Sequence, residues 1–143
     1  MHRVVKIYRK IIHIFEHTGM PWLVLGLRLW IARIFWYSGL TKISHWPATT
    51  YLFKYEYKLP YLNPEGAAYV FTFFELVCPI LLTVGLATRL ATIPILIMIA
   101  IIQVTYLNIS DHGYWAVMLA TILFYGPGRI SMDHYIKNKR LFQ

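Results

Sequence analysis

The chain has 143 residues, of which 58% are hydrophobic, 17% aromatic and only 14% charged, and its net charge is +8. These proportions predict a single membrane domain over residues 1–143 and exclude a membrane enzyme with a large soluble part. The single cysteine, Cys78, excludes an internal disulfide and a CxxC redox pair. We expect it to be a small packing residue and not a redox centre. We assign the positive charge to cytoplasmic flanks and anionic lipid, and not to nucleic acid.

Residues 1–18 have the pattern of an amphipathic helix. Apolar side chains recur at Val4, Ile7 and Ile11, and basic residues fill the opposite face. Such a helix is expected to lie in the membrane interface, parallel to the bilayer plane. A frayed basic tail is the alternative interpretation.

Residues 21–43 form the first predicted span, which Arg28 and Arg33 interrupt. The flanking apolar residues still favour a span, because an arginine can extend its head along its own stem toward the interface. Arg28 is near enough to the inner end to do so, whereas Arg33 is deeper. Lys42 lies at the outer end.

Residues 44–66 are the long connection, with three prolines, four tyrosines and further aromatic residues. Aromatic side chains concentrate at the headgroup level of membranes. We therefore predict an ordered aromatic periplasmic cap, with a short helix from Pro47 to about Tyr57.

Three more spans are predicted at residues 67–86, 90–107 and 111–128, followed by a basic cytoplasmic tail at 129–143. Ser131 is predicted to cap a final amphipathic helical turn in this tail. The turn between the second and third spans is so short that these spans must run antiparallel. The predicted fold is an all-α integral membrane protein, a four-helix up-down bundle with the N-terminal interfacial helix beside it.

The distribution of basic residues predicts the orientation. If both termini are cytoplasmic, the outer side holds Lys42, Lys54 and Lys58. The inner side then holds Arg3, Lys6, Arg9, Lys10, Arg89, Arg129, Lys137, Lys139 and Arg140. This positive-inside bias predicts a multi-pass protein of the inner (plasma) membrane with both termini in the cytoplasm.

Glu75 is the one ionisable residue within the apolar stretch 67–86. It lies ~12 Å below the outer end of that span. An unpaired carboxylate at such depth costs at least ~2.5 kcal/mol. Because Arg28 and Arg33 are on the preceding span, we expect Glu75 to face the interior and to contact one of them. The pair would either fix helix register or form a proton or ligand site.

Polar residues from three spans are predicted to gather at the outer end. Glu75, Gln103, His112 and Trp115 would wall a cavity beneath residues 51–61. The alternative is that Gln103 and His112 bond to backbone in a packed, ligand-free bundle. No spacing motif for a metal, a nucleophile or a phosphate loop is present, so no metal is assigned and the catalytic residues stay unassigned.

Several stretches resemble the DoxX family of small membrane proteins. The first runs from Arg28-Leu29 to Gly39-Leu-Thr-Lys42, and the second and third are Leu59–Ala68 and Glu75-Leu-Val-Cys-Pro. Gly85-Leu-Ala-Thr-Arg89 is similar to the family's turn. Gly126-Pro-Gly-Arg129-Ile-Ser-Met-Asp133 is similar to its C-terminal signature. Together these stretches extend over about residues 22–138.

The resemblance implies an inner-membrane protein associated with quinone-linked oxidoreductases and with oxidative, sulfur or metal stress. The expected function is an accessory subunit, with quinone as the candidate cofactor and membrane or soluble redox proteins, or a second copy, as partners. A non-enzymatic scaffold that recruits soluble partners is the alternative. A small transporter is the least favoured, because no pair of broken helices is evident.

Overall fold

The computed structural model describes residues 2–57, 63–105 and 110–140, and every element in these ranges is helical. The seven α-helices, in chain order, are α1 (His2–Ile14), α2 (Met20–Ser44), α3 (Trp46–Tyr51), α4 (Pro64–Val84), α5 (Thr88–Thr105), α6 (Ser110–Tyr125) and α7 (Met132–Arg140). Two π-helical turns, Phe15–Gly19 and Leu52–Tyr57, follow α1 and α3. The chain is therefore all-α, as the sequence predicts.

Three helices in the described ranges are long and apolar enough to cross a membrane. They are α2, α4 and α5, with 25, 21 and 18 residues. The fourth predicted span corresponds to α6, which has 16 residues and a length of ~24 Å. Together these helices make the chain a multi-pass membrane protein whose environment is the lipid bilayer.

The four long helices pack around a shared apolar core. α2 packs against α4, α4 against α5, α5 against α6, and α6 returns to α2. Fully buried side chains come from each helix: Ile31 from α2, Leu82 from α4, Ile95 from α5, and Leu119 and Ile122 from α6. Cys78 is buried in the same core, which agrees with its predicted role as a small packing residue.

A second apolar cluster joins the connection after α2 to the start of α4. Phe53 is fully buried and packs edge-to-face on Phe71, with ring centroids 5.1 Å apart. Tyr57 packs on Phe53 in the same manner at 4.8 Å. The predicted helix from Pro47 to about Tyr57 is confirmed, as α3 and the turn after it. Residues 58–62 of the predicted cap, and 106–109, lie outside the described residues.

α1 is helical as predicted, and the apolar side chains of its first two turns are exposed. Val4 is 71% exposed and Tyr8 is 64% exposed. The contacts of α1 are made chiefly with the π-helical turn that follows it. Its position relative to the membrane stays a prediction.

Helix ends are fixed by local signals in the sequence. The Asn63 side chain accepts a hydrogen bond from the Glu65 amide at the start of α4. Ser131 Oγ accepts from the His134 amide at 3.2 Å, which confirms the predicted cap of α7. α4 ends at Gly85, whose φ of 76° is left-handed and favours glycine.

Candidate functional site

Glu75 is buried and forms an ion pair with Lys42. The Lys42 ammonium donates to both carboxylate oxygens, at 2.9 Å to Oε1 and 2.7 Å to Oε2. The Glu75 side chain is 3% exposed and that of Lys42 is 12% exposed. The predicted interior position of Glu75 is confirmed, but the predicted arginine partner is wrong.

The sequence places Lys42 for this contact through two neighbours on α2. Ser38 is one turn earlier, and its hydroxyl accepts a third hydrogen bond from the Lys42 ammonium at 2.9 Å. Gly39 lies directly against α4: a Cβ at this position would approach Leu76 Cδ2 to 2.8 Å and Glu75 Cβ to 3.3 Å. The glycine therefore lets the two helices come close at the ion pair.

Arg28 is 1% exposed and uses its guanidinium on backbone carbonyls. Nε donates to Leu82 at 2.7 Å and Nη2 to Thr83 at 3.0 Å. Nη1 donates to Pro127 at 2.9 Å and to Ile130 at 2.8 Å. The guanidinium thus joins α2 to the end of α4 and to the turn before α7. Pairing of Arg28 with Glu75 is therefore not observed.

Asp133 completes the same junction from α7. Its two carboxylate oxygens accept from the amides of Ala87 at 2.8 Å and Thr88 at 2.9 Å, at the start of α5. Its own amide donates to the Gly85 carbonyl at 2.9 Å. Arg28 and Asp133 therefore have a structural role, because their hydrogen bonds hold the helix ends together.

Arg33 lies near the middle of α2 and is exposed. Its guanidinium carbon is 5.9 Å from the centre of the Tyr37 ring, a cation–π contact. It lines an open groove of about 420 Å³ between α2 and α4. The other walls of this groove include Leu29, Trp36, Pro79, Ile80 and Thr83.

His112 and Gln103 bond to each other. His112 Nδ1 lies 2.9 Å from Gln103 Oε1, an acceptor, so Nδ1 carries the proton and donates. His112 is 6% exposed and packs on Trp115, with ring centroids 5.2 Å apart. Trp115 in turn meets Phe35 of α2 edge-to-face at 5.8 Å. A shared cavity with Glu75 stays a prediction.

The helix order sorts these groups into two ends. α4 starts where α2 ends and α6 starts where α5 ends, so Lys42, Glu75, Gln103 and His112 belong to one half of the molecule. Arg28 and Asp133 belong to the other half, beside a basic cleft that Arg89 and Arg129 line.

Within residues 2–57, 63–105 and 110–140, no three His, Cys, Asp or Glu side chains are grouped to hold a metal ion.

Sequence reasoning missed Lys42 as the partner of Glu75 and assigned it only to the outer end of α2. The signal that was available is the length of the lysine side chain, which reaches down from a helix end toward a deeper carboxylate. The role of Gly39 also has a local signal, since a glycine one turn before the lysine marks a close helix contact.

The fold and these buried charges define a class: a small all-α protein that crosses the bilayer several times. The sequence profile of the DoxX family matches residues 23–108, more than half of the chain, and the protein therefore belongs to the DoxX family. The matched region contains Arg28, Lys42 and Glu75 and stops before Asp133. No curated protein and no solved structure matches the chain.

Proposed function

We propose that this DoxX protein is an accessory subunit of a quinone-linked redox or stress-response system of the inner membrane. In this proposal α2, α4, α5 and α6 form a four-helix up-down bundle with both termini in the cytoplasm. α1 lies in the cytoplasmic interface.

The closed order of helix contacts supports the bundle, since α6 packs on both α5 and α2. α6 reaches across the hydrocarbon core if the chain before it and the turn after Tyr125 add to its ~24 Å. The basic residues of α1, the α4–α5 turn and α7 then share the cytoplasmic side.

The observation that carries the redox proposal is the groove at Arg33. An arginine exposed in the middle of a membrane helix is costly unless a ligand or partner compensates it. The groove of about 420 Å³ is walled mainly by apolar and aromatic side chains, which is the composition of small-molecule sites. It opens sideways, so a lipid-soluble molecule could enter from the bilayer.

A quinone headgroup fits this chemistry. The Arg33 guanidinium would donate to a quinone carbonyl oxygen, and Trp36 and Tyr37 would flank the ring. When bound, the quinone would supply two-electron redox chemistry to a partner protein. Toward the end of α2 that holds Lys42, the Lys42–Glu75 pair and the His112 imidazole are titratable groups that could exchange protons.

The proposal is tested by purifying the full-length protein from membranes, extracting it with organic solvent and quantifying quinone by mass spectrometry. Wild-type protein should retain quinone, and Arg33→Gln should lose most of it. Arg9→Gln, which removes an exposed arginine from α1, is the matched control. Quinone that is absent from wild type, or equal in Arg33→Gln, would reject the site.

The same arginine also favours the second candidate, a scaffold in a larger membrane complex. A carboxylate on a partner's membrane helix would neutralise Arg33 in the groove. A second copy is less suited to supply it, because Glu75 is already engaged by Lys42. A protein that co-purifies with wild type but not with Arg33→Gln, in the absence of quinone, would favour the scaffold.

A further inference from the structure

A basic cleft lies at the end of the helices opposite the Lys42–Glu75 pair and takes no part in the proposed quinone site. We propose that this cleft binds the phosphate headgroup of an anionic membrane lipid. It has a volume of about 500 Å³ and is enclosed by the start of α5, the end of α6, the following turn and α7. Its walls include Arg89, Leu90, Tyr125, Arg129, Asp133 and Lys137.

The charge of the cleft suits a phosphate. Among the described residues that line it, Arg89, Arg129 and Lys137 are cationic and Asp133 is the one carboxylate. Both oxygens of that carboxylate already accept amide hydrogens from the start of α5, at 2.8 and 2.9 Å. The cations therefore exceed the local negative charge, and arginine presents donors in the geometry that phosphate oxygens accept.

Arg89 is positioned by the turn after α6. A Cβ at Gly126 would approach Arg89 Nη2 to 3.0 Å, so the absence of a side chain makes room for the guanidinium. Nη2 also points toward the Phe124 carbonyl, at a long 3.5 Å. Gly126 has a φ of 98°, a backbone conformation that favours glycine. The turn therefore leaves space for the Arg89 guanidinium to line the cleft.

Exposed apolar side chains beside these cations favour a lipid over free phosphate. Leu90 is 69% exposed and Tyr125 is 48% exposed, and both line the cleft. Phe124, the neighbour of Tyr125, is 80% exposed. These residues lie where α5 begins and α6 ends. We expect the ends of membrane helices to lie at the level where acyl chains meet headgroups. Basic pockets at the ends of membrane helices are suited to anionic phospholipids.

The test compares lipid retention by the full-length protein in detergent, measured by native mass spectrometry. Wild type is incubated with phosphatidylglycerol or with phosphatidylcholine, and we expect selective retention of phosphatidylglycerol. Arg89→Gln and Lys137→Gln should each weaken this binding about fivefold, the effect of one basic residue near an anionic surface. Lys54→Gln, which removes an exposed lysine at the other end of the molecule, should leave it unchanged.

Arg89→Lys should recover part of the binding that Arg89→Gln loses, and Lys137→Gln tests the site even if substitution of Arg89 prevents folding. Equal retention of the two lipids by wild type would overturn the proposal. So would phosphatidylglycerol binding that is the same in Lys137→Gln and Lys54→Gln. Inorganic phosphate that binds as tightly as the lipid would show a soluble-anion site instead. Quinone content should not change in Lys137→Gln, so the two proposals fail separately.

Discussion

Two cations on the same helix, Arg28, which is buried, and Lys42, which is partly buried, are satisfied by different chemistry. Arg28, near the start of α2, donates to four backbone carbonyls in α4 and in the turn before α7. Lys42, near the end of α2, donates to one carboxylate and one hydroxyl. Carbonyls cannot change their charge, whereas Glu75 can take up a proton. The first site is therefore built for stability, and the second has a titratable partner.

The largest effect is expected at Arg28. Arg28→Met should leave four carbonyls without their donor, and the loss of a buried charged group with several hydrogen bonds should cost roughly 3–5 kcal/mol. The folded yield in detergent, measured by size-exclusion chromatography, should fall severely. Arg28→Lys should rescue little of it, because an ammonium cannot present the same fork of donors. A yield of Arg28→Met near wild type would contradict a structural role.

Lys42→Met should destabilise the protein by roughly 2–4 kcal/mol, which is less than the effect of Arg28→Met. The substitution leaves the buried Glu75 carboxylate unpaired, but this carboxylate can still become protonated. The double substitution Lys42→Met/Glu75→Leu should recover much of that loss. Thermal unfolding in detergent measures the stability of the single and the double variant. If the double variant were as unstable as the sum of the single variants, the two residues would not be coupled as an ion pair.

Gly85→Ala tests the Arg28 junction without changing any charge. The left-handed backbone disfavours alanine by of order 1–3 kcal/mol, and the new methyl group would also meet the Arg28 guanidinium and Ser131 Cβ, the latter at 2.7 Å. Gly26→Ala is the matched control, because a Cβ there meets nothing within 4 Å. It should stabilise α2 by up to ~1 kcal/mol. Equal stability of the two variants would argue against the junction.

The smallest effect on stability is expected at His112. His112→Ala should remove the hydrogen bond between His112 and Gln103 and cost about 1 kcal/mol. His112→Ala and Glu75→Gln should each reduce redox activity or partner binding while folded yield stays nearly unchanged, because glutamine can still accept a hydrogen bond from Lys42. If both variants kept full activity and binding, function would not depend on this end of the molecule.

The sequence predicted the features that local patterns determine. Helical period and apolar length indicated the helices, Pro47 indicated the short helix after α2, and Ser131 indicated the cap of α7. The burial of Glu75 followed from its depth in an apolar stretch. Each of these depends on residues close together in the chain.

Contacts between distant residues were not predictable in the same way. Residue spacing gave the depth of Arg33 along α2 but not the rotation of that helix, so the expected pairing with Glu75 was wrong. The partners of Arg28 include Pro127 and Ile130, about a hundred positions away. Backbone carbonyls have no sequence signature, so no residue pattern could have identified them.

The junction at Arg28 and Asp133 also has an electrostatic consequence. The aligned peptide dipoles of a helix leave partial negative charge at its C-terminus and partial positive charge at its N-terminus. Arg28 places a cation on the last carbonyls of α4, and Asp133 places an anion on the first amides of α5. Each helix end thus meets a charge of opposite sign, so the α4–α5 hairpin presents little net dipole charge where it turns back toward the bilayer.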